Sequence, residues 1–412
     1  MATFQPFTLE RMMSKYENVV EYNLSESGAH PLTLRELLDA PSTSSGQAPS
    51  TSSTELSRSG QAPSTSQRGE LVEPSGQPPA AFEELLDTEL NYPQANGIPE
   101  LRENIAALYP GATLDNVLVT VGAAEANYDS VQTVAAPGDE VVVMLPNYMQ
   151  IWGVAQNSGM QVRSFHLKEE LGWAPDLDEL NEVVSERTKL IAVCNPNNPT
   201  GRILTEEEMD DIVTAADRVG AWLLADEVYS GAERVTDVQT PSFWGRYDKV
   251  LAIGSLSKAY ALPGLRIGWV VGPLDTVDEI WARHEYTTID TTALSNKLAA
   301  IALSPEVRPR IIQRVRDYVR RGFPVLDAWL ESHEGTFSLV PPQAAAIAFV
   351  RYHLDVNSTE LVKRLIHEKS VFIIPGDHFG LDHFLRISFG LPHDYLQPAL
   401  DRIHELIVEL QG

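Results

Sequence analysis

Short β-branched runs alternate with helix-like segments along most of this chain, and that alternation restricts the fold more than any other feature. "NVLVTV" at Asn116 is followed by the helical composition of "GAAEANYDSVQTVA". "EVVVML" at Glu140, "KLIAVCN" at Lys189, "AWLLADEV" at Ala221 and "KVLAIGS" at Lys249 are further strand-like runs. Between two of them, "LTEEEMDDIVTAADRVG" carries helix-start signals: Thr205 as N-cap, Glu208 three residues on, and acids in the first turn. Buried strands alternating with helices predict a mainly parallel sheet with helices on both faces, an α/β class. After about Ala300 the texture changes to a long basic-acidic helix, "RPRIIQRVRDYVRRGFPVLDAWLESH", and shorter strands, "AAIAFVRY", "VFIIPG" and "FLRISFG". These predict a second, smaller α+β domain. In open α/β sheets ligands sit beyond the carboxyl ends of the strands, so chemistry is expected just after each run.

One stretch breaks the pattern. From Ala40 to Pro79 Ser, Thr, Gly, Pro and Gln dominate, and "GQAPSTS" occurs twice, at Gly46 and Gly60. So few apolar residues do not offset the entropy of ordering, which predicts a disordered insertion in a surface loop. "LTLRELLDA" before it and "AFEELLDTEL" after it read as helical. The expected organisation is an N-terminal arm over 1–39 joined to the small domain, the insertion over 40–80, a large domain over 81–295 and a small one over 296–412. A balance of 31 Lys+Arg against 57 Asp+Glu, net −26, repels nucleic acid and anionic membranes, so neither is an expected partner. The single cysteine, Cys194, rules out an internal disulfide. With no secretory signal or apolar span in view, a soluble, cytoplasmic protein is expected.

Lys258, in "GSLSKAYALPGLRIGW", lies just past the run "VLAIGS". A lysine amine is a nucleophile only when deprotonated, and burial near another cation such as Arg266 favours that form. Ser255 and Ser257 offer hydroxyl donors suited to phosphate; a surface loop that happens to contain a lysine is the bland alternative. Asp226 ends the run "AWLLAD", where an ionised carboxylate costs several kcal/mol unless paired. Its partner is either a protonated ring nitrogen or the amides of a following helix. Tyr229 either bonds the same ligand or belongs to the core. The turn "NPNNPTG" presents Asn198, whose amide can read a ligand oxygen. Cys194 before it reads as a small buried hydrophobe.

In "VGAAEANY" a strand gives way to a helix N-terminus at Gly122, Ala123 and Ala124, where free amides and the macrodipole form a phosphate cradle. Tyr148, after "EVVVML", either stacks on a planar ring or packs in the core. Arg386, inside the apolar run "FLRISFG", needs an anionic partner: a ligand carboxylate or a structural acid. No metal-ligand set stands out.

In their order and spacing these motifs resemble the aspartate-aminotransferase superfamily, the class I/II aminotransferases of fold type I that use pyridoxal 5′-phosphate. The resemblance runs from about Tyr92 to the C-terminus. It implies a large domain with a mainly parallel seven-stranded sheet and a smaller α+β domain. It also implies that Lys258 forms the Schiff base with the cofactor and moves the proton from substrate Cα. Ser255, Ser257, Arg266 and the Ala123 and Ala124 amides would bind the phosphate. Asp226 would pair with the ring nitrogen so that the ring acts as an electron sink. Asn198 and Tyr229 would bond the ring hydroxyl oxygen, and Tyr148 would stack on the ring. Arg386 and Asn198 would meet the substrate. Tyr92, in "YPQANGIPELR", matches a tyrosine that reaches a neighbouring subunit's phosphate, which implies a homodimer with shared sites. Gly28, in "SESGAHPLT", loosely matches a glycine whose backbone meets the substrate.

The expected activity is therefore transfer of an amino group between an α-amino acid and a 2-oxo acid. "ESGAHPLTLREL" stands where a Gly-x-Pro-Asp type of segment is usual. With "GWAPDLDEL" and "LSKAYALPGLRIGW" it is similar to pyridoxal enzymes of the capreomycidine synthase kind, which cyclise a hydroxylated arginine. A cyclase or lyase is thus the alternative. A non-catalytic pyridoxal-binding regulator is disfavoured, because no basic DNA-binding segment is found and the lysine and its partners are all present.

Overall fold

A computed structural model describes residues 4–38 and 85–411. The Ala40–Pro79 insertion lies outside the described residues. The chain forms two compact units, one of residues 1–32 with 89–412 and a smaller one of residues 33–88. In the smaller unit the helix Leu34–Leu38 opens on a capping arrangement in which the Thr33 N–H and hydroxyl both donate to Glu36.

The larger unit is built on an eight-stranded sheet. Its spatial order is Val117–Thr120, Gly268–Val271, Val250–Ser255, Trp222–Asp226, Thr188–Cys194, Glu140–Leu145, Gln161–Lys168 and Ala174–Pro175. The five strands from Val250–Ser255 to Gln161–Lys168 pair in parallel. Gly268–Val271 runs antiparallel to both of its neighbours, as does Ala174–Pro175 to its one neighbour. Seven strands match the expected sheet, and the eighth, Ala174–Pro175, is a two-residue strand at the edge. Two strands are not evident from the apolar runs. Gln161–Lys168 lies beside that edge and carries polar residues at most positions. Gly268–Val271 starts on a glycine directly after the Arg266 turn.

The central strands are apolar because helices cover both faces: Val141, Val142, Val143, Leu190, Ile191, Ala192, Leu223 and Leu224 are all buried. The predicted helix over Glu206–Val219 has the expected capping box, with Thr205 Oγ1 accepting from the Glu208 N–H (3.2 Å) and Glu208 Oε2 from the Thr205 N–H (2.7 Å). It ends at Gly220 with φ +66, a left-handed cap that favours glycine.

A second sheet, all antiparallel, orders Phe337–Leu339, Ile347–Tyr352, Phe384–Ser388 and Ile374–Pro375. The N-terminal segment joins this region: Tyr22–Asn23 pairs in parallel with Val371–Phe372, and the Ser388 N–H donates to the Leu24 carbonyl. That pairing carries Ser25–Gly28 to Arg386, as the hydrogen bond between Arg386 and Ser25 shows. Among the described residues no helix is long and apolar enough to cross a membrane.

Candidate active site

The carboxyl ends of five like-directed strands converge on one cavity of about 290 Å³ in the larger unit. Its lining includes Ala123, Ala124, Tyr148, Asn198, Asp226, Tyr229, Ser255, Ser257, Lys258, Arg266 and Arg386. Eleven of the thirteen residues expected from sequence therefore meet in one place. Gly28 lies against it: a Cβ there would stand 3.2 Å from the Ser257 carbonyl and 3.8 Å from Lys258 Cδ. Tyr92 does not reach the cavity of its own chain and is 84 % exposed.

An anion cradle occupies one wall. The helix Ala123–Val134 starts at Gly122, whose φ of +77 favours glycine. A Cβ at Gly122 would stand 2.4 Å from Arg266 Nη2, so the missing side chain makes room for the guanidinium at the helix N-terminus. Ser255 Oγ accepts from the Ser257 N–H (3.0 Å), and the two seryl oxygens are 3.0 Å apart. The Arg266 guanidinium is 3.5 Å from Ser257 Oγ. Free amides, two hydroxyls and one guanidinium thus surround a space suited to a phosphate.

At the other end of the cavity lies Asp226, 6 % exposed. Its carboxylate accepts from Asn127 Nδ2 (3.2 Å) and the Val228 N–H (3.3 Å), and no cationic side chain among the described residues forms an ion pair with it. Burial pushes this carboxyl above its ordinary range, against the hydrogen bond from Asn127. No helix follows Asp226, so the capping alternative fails. The carboxylate thus faces the cavity without a cationic partner among the described residues.

Lys258 lies between the cradle and Arg386. Burial holds its ammonium below the usual pKa, with the Arg386 and Arg266 charges acting the same way against Glu26, whose carboxylate is 3.9 Å away. Arg386 is 2 % exposed. It donates to Asn198 Oδ1 (3.0 Å) and the Ser25 carbonyl (2.5 Å), and its Nε is buried without a partner. Among the described residues no acid forms an ion pair with it, so the alternative of a structural acid fails as well. A ligand carboxylate fits the guanidinium. The Tyr229 hydroxyl, pushed up in pKa by burial, donates to Ser27 Oγ (2.9 Å). The Tyr148 hydroxyl donates to Glu10 Oε1 (2.6 Å), with its ring 5.1 Å from that of Phe7. Cys194 is buried with its thiol pKa raised by burial and by Asp226, which agrees with a small hydrophobe rather than a nucleophile.

The lining also holds residues that the sequence did not single out, among them Asn127, Glu10, Glu17 and Glu26. Asn127 sits one helical turn after Ala123, on the face that the cradle already commits to the cavity. Glu10, Met13 and Glu17 are three and four apart on and just after the helix Thr8–Tyr16, which puts them on one stripe. That stripe is legible in the sequence, but its destination is set by strand pairing some 350 residues downstream. Burial raises the Glu17 carboxyl, and the Glu26 and Glu10 charges raise it further.

Next to Asp226, Glu227 points elsewhere and accepts from Ser242 Oγ (2.9 Å) and the Phe243 N–H (2.8 Å). Burial pushes it up to about 8, so near pH 6 the folded chain holds a proton that the unfolded chain has released. Stability should therefore fall as pH rises from about 4.5 toward 8. Glu227→Gln is expected to flatten that slope in urea unfolding series run at several pH values; an unchanged slope would assign it to other groups.

Known proteins resemble this chain in sequence and fold. The model of the family "Aminotransferase class I and II" matches residues 69–403. Capreomycidine synthase of Streptomyces vinaceus is 34% identical over 317 residues, 75% of this chain and 79% of that protein. An aspartate aminotransferase of Streptomyces avermitilis is 29% identical over 339 residues, 77% and 82% of the two chains. A crystal structure of a PLP-dependent aminotransferase from Streptococcus suis superposes with TM-score 0.85 at 28% identity, covering 100% of this chain and 99% of that one.

Proposed function

The chain belongs to the aminotransferase class I and II family, which uses pyridoxal phosphate, and on that premise we propose that it transfers the amino group of an α-amino acid to a 2-oxo acid. The observation that carries this reading is the desolvated Lys258 amine, set between a phosphate cradle and an unpaired buried arginine. When bound, pyridoxal phosphate supplies an electron sink for negative charge developing at the substrate Cα. The side chains would divide the remaining work. Ser255, Ser257, Arg266 and the Ala123 and Ala124 amides hold the phosphate; Asp226, itself held by Asn127, keeps a proton on the ring nitrogen. Tyr148 would stack on the ring, and Asn198 and Tyr229 would bond its hydroxyl oxygen. Arg386 would take the substrate α-carboxylate, with the Gly28 backbone alongside, and Lys258, in its deprotonated form, would remove the Cα proton. We read the protein as a cytosolic homodimer in which the exposed Tyr92 reaches the partner's phosphate; a monomer in sedimentation would remove that role.

The acid wall favours a second reading. Glu10, Glu17 and Glu26 line the cavity, where its cations are Lys258, Arg266 and Arg386, all with assigned tasks. A substrate whose far end is cationic would relieve the mutual repulsion of these carboxylates, while a dicarboxylate would add to it. A cationic amino acid is also what a cyclase of the capreomycidine synthase kind would take. The two reactions separate in one experiment: a panel of amino acids, hydroxyarginine included, is incubated with and without 2-oxoglutarate or pyruvate. Acceptor-dependent appearance of a new amino acid supports transamination. Acceptor-independent cyclised or dehydrated product would replace that reading with the second. For whichever basic substrate is turned over, Glu17→Gln is expected to raise KM by about tenfold or more with a smaller change in kcat, the loss of one charge-assisted contact. An unaltered KM would remove Glu17 from substrate recognition.

A further inference from the structure

Behind the phosphate cradle, on the far side of the helix Ala123–Val134, three ligand-type side chains converge without a complete set of partners. Glu125 and Asp129 are one turn apart on that helix, and His284 ends the helix Leu274–His284 packed along it. One ligand atom from each lies within 4.8 Å of the others. Asp129 is 1 % exposed and both of its carboxylate oxygens are buried with no hydrogen-bond partner. A carboxylate so placed costs several kcal/mol unless a proton or cation meets it. The neighbouring Arg283 is engaged elsewhere, donating to the Gln132 and Glu279 carbonyls.

Glu125 is held firmly in place. Its Oε1 accepts from Thr287 Oγ1 (2.6 Å) and Thr288 Oγ1 (2.7 Å), and its Oε2 from the Val121 N–H (2.7 Å). Glu125 Oε2 stands 3.3 Å from His284 Nδ1, and the imidazole is fully buried. Two ligand atoms bound to zinc at about 2.05 Å with a tetrahedral angle are about 3.3 Å apart. The two groups are in direct ion-pair contact, and their separation is also the one that two ligands of a shared tetrahedral ion would keep. One imidazole with two carboxylates is also a donor set that zinc accepts.

We propose that Glu125, Asp129 and His284 bind one Zn²⁺ ion, with water as the fourth ligand, as a structural clamp between the two helices. The clamp is independent of the chemistry at Lys258, and it fixes the helix whose first turn forms the anion cradle.

The test uses full-length holoenzyme dialysed against a chelator, then against micromolar Zn²⁺, with metal content read by mass spectrometry and unfolding by calorimetry. The expected result is about one zinc per chain and a melting temperature several degrees above that of the stripped protein. Asp129→Asn, which keeps the side-chain shape, should lose that zinc and the shift. The exposed pair His333 and His404, whose ring nitrogens are 2.7 Å apart, is a competing surface site. His404→Gln should therefore retain the uptake. A stripped wild type that takes up no zinc, or equal uptake by Asp129→Asn, would overturn the proposal.

Discussion

Lys258→Ala is expected to lower turnover by at least about four orders of magnitude, because one amine is asked to serve as both nucleophile and proton carrier. The amine suits that work through its surroundings: burial lowers its pKa, and Arg386 and Arg266 reinforce the effect. Its removal leaves the cradle of Ser255, Ser257 and Arg266 intact, so pyridoxal phosphate should still bind and the fold should be retained by circular dichroism. In the wild type, borohydride should attach the pyridoxyl group to Lys258, located by peptide mass spectrometry. Partial rescue of Lys258→Ala by added alkylamines is expected. Full turnover in the variant would show that another residue carries the proton.

Asp226→Ala is expected to reduce turnover by about two orders of magnitude or more, corresponding to a few kcal/mol of lost charge stabilisation. Among the described residues no cationic side chain pairs with Asp226, and its hydrogen bonds there come from Asn127 and the Val228 amide. A cationic ring nitrogen standing opposite would offset the cost of burying it. Retained cofactor with reduced turnover is the expected signature, since the phosphate contacts lie at the other end of the cavity. Turnover equal to wild type would remove the ring-nitrogen role. Comparison with Asn127→Ala separates the charge from its positioning: that variant should lose less, because the carboxylate stays in place.

Much of the site is legible in the chain because most of its motifs sit just past the end of a strand. "KVLAIGS" predicts Val250–Ser255, and Ser255, Ser257 and Lys258 then follow on the side where parallel strands deliver their ligands. Thr205 and Glu208 announce a helix start through short-range hydrogen bonds that operate in any context. Asp226 is conspicuous for a similar reason, since a carboxylate at the end of an apolar run demands a partner. Local propensity, apolar periodicity and the cost of a buried charge are properties of neighbouring residues, so they can be read along the chain.

The acid wall and the Glu125–Asp129–His284 cluster depend on other physics. Glu10 and Glu17 read as the polar side of a short N-terminal helix until Tyr22–Asn23 pairs with Val371–Phe372 and brings the segment to the cavity. Glu125 and Asp129, one turn apart, lie about 155 residues before His284 and meet it only because two helices pack side by side. The partners of Asp226 and Arg386 are likewise decided at long range, where Asn127 and Asn198 reach them. Sequence patterns hold the information about which side chains need partners, because that need is set by burial and charge at each position. Which partner arrives is a matter of strand pairing and helix packing between distant segments, and no local periodicity encodes it.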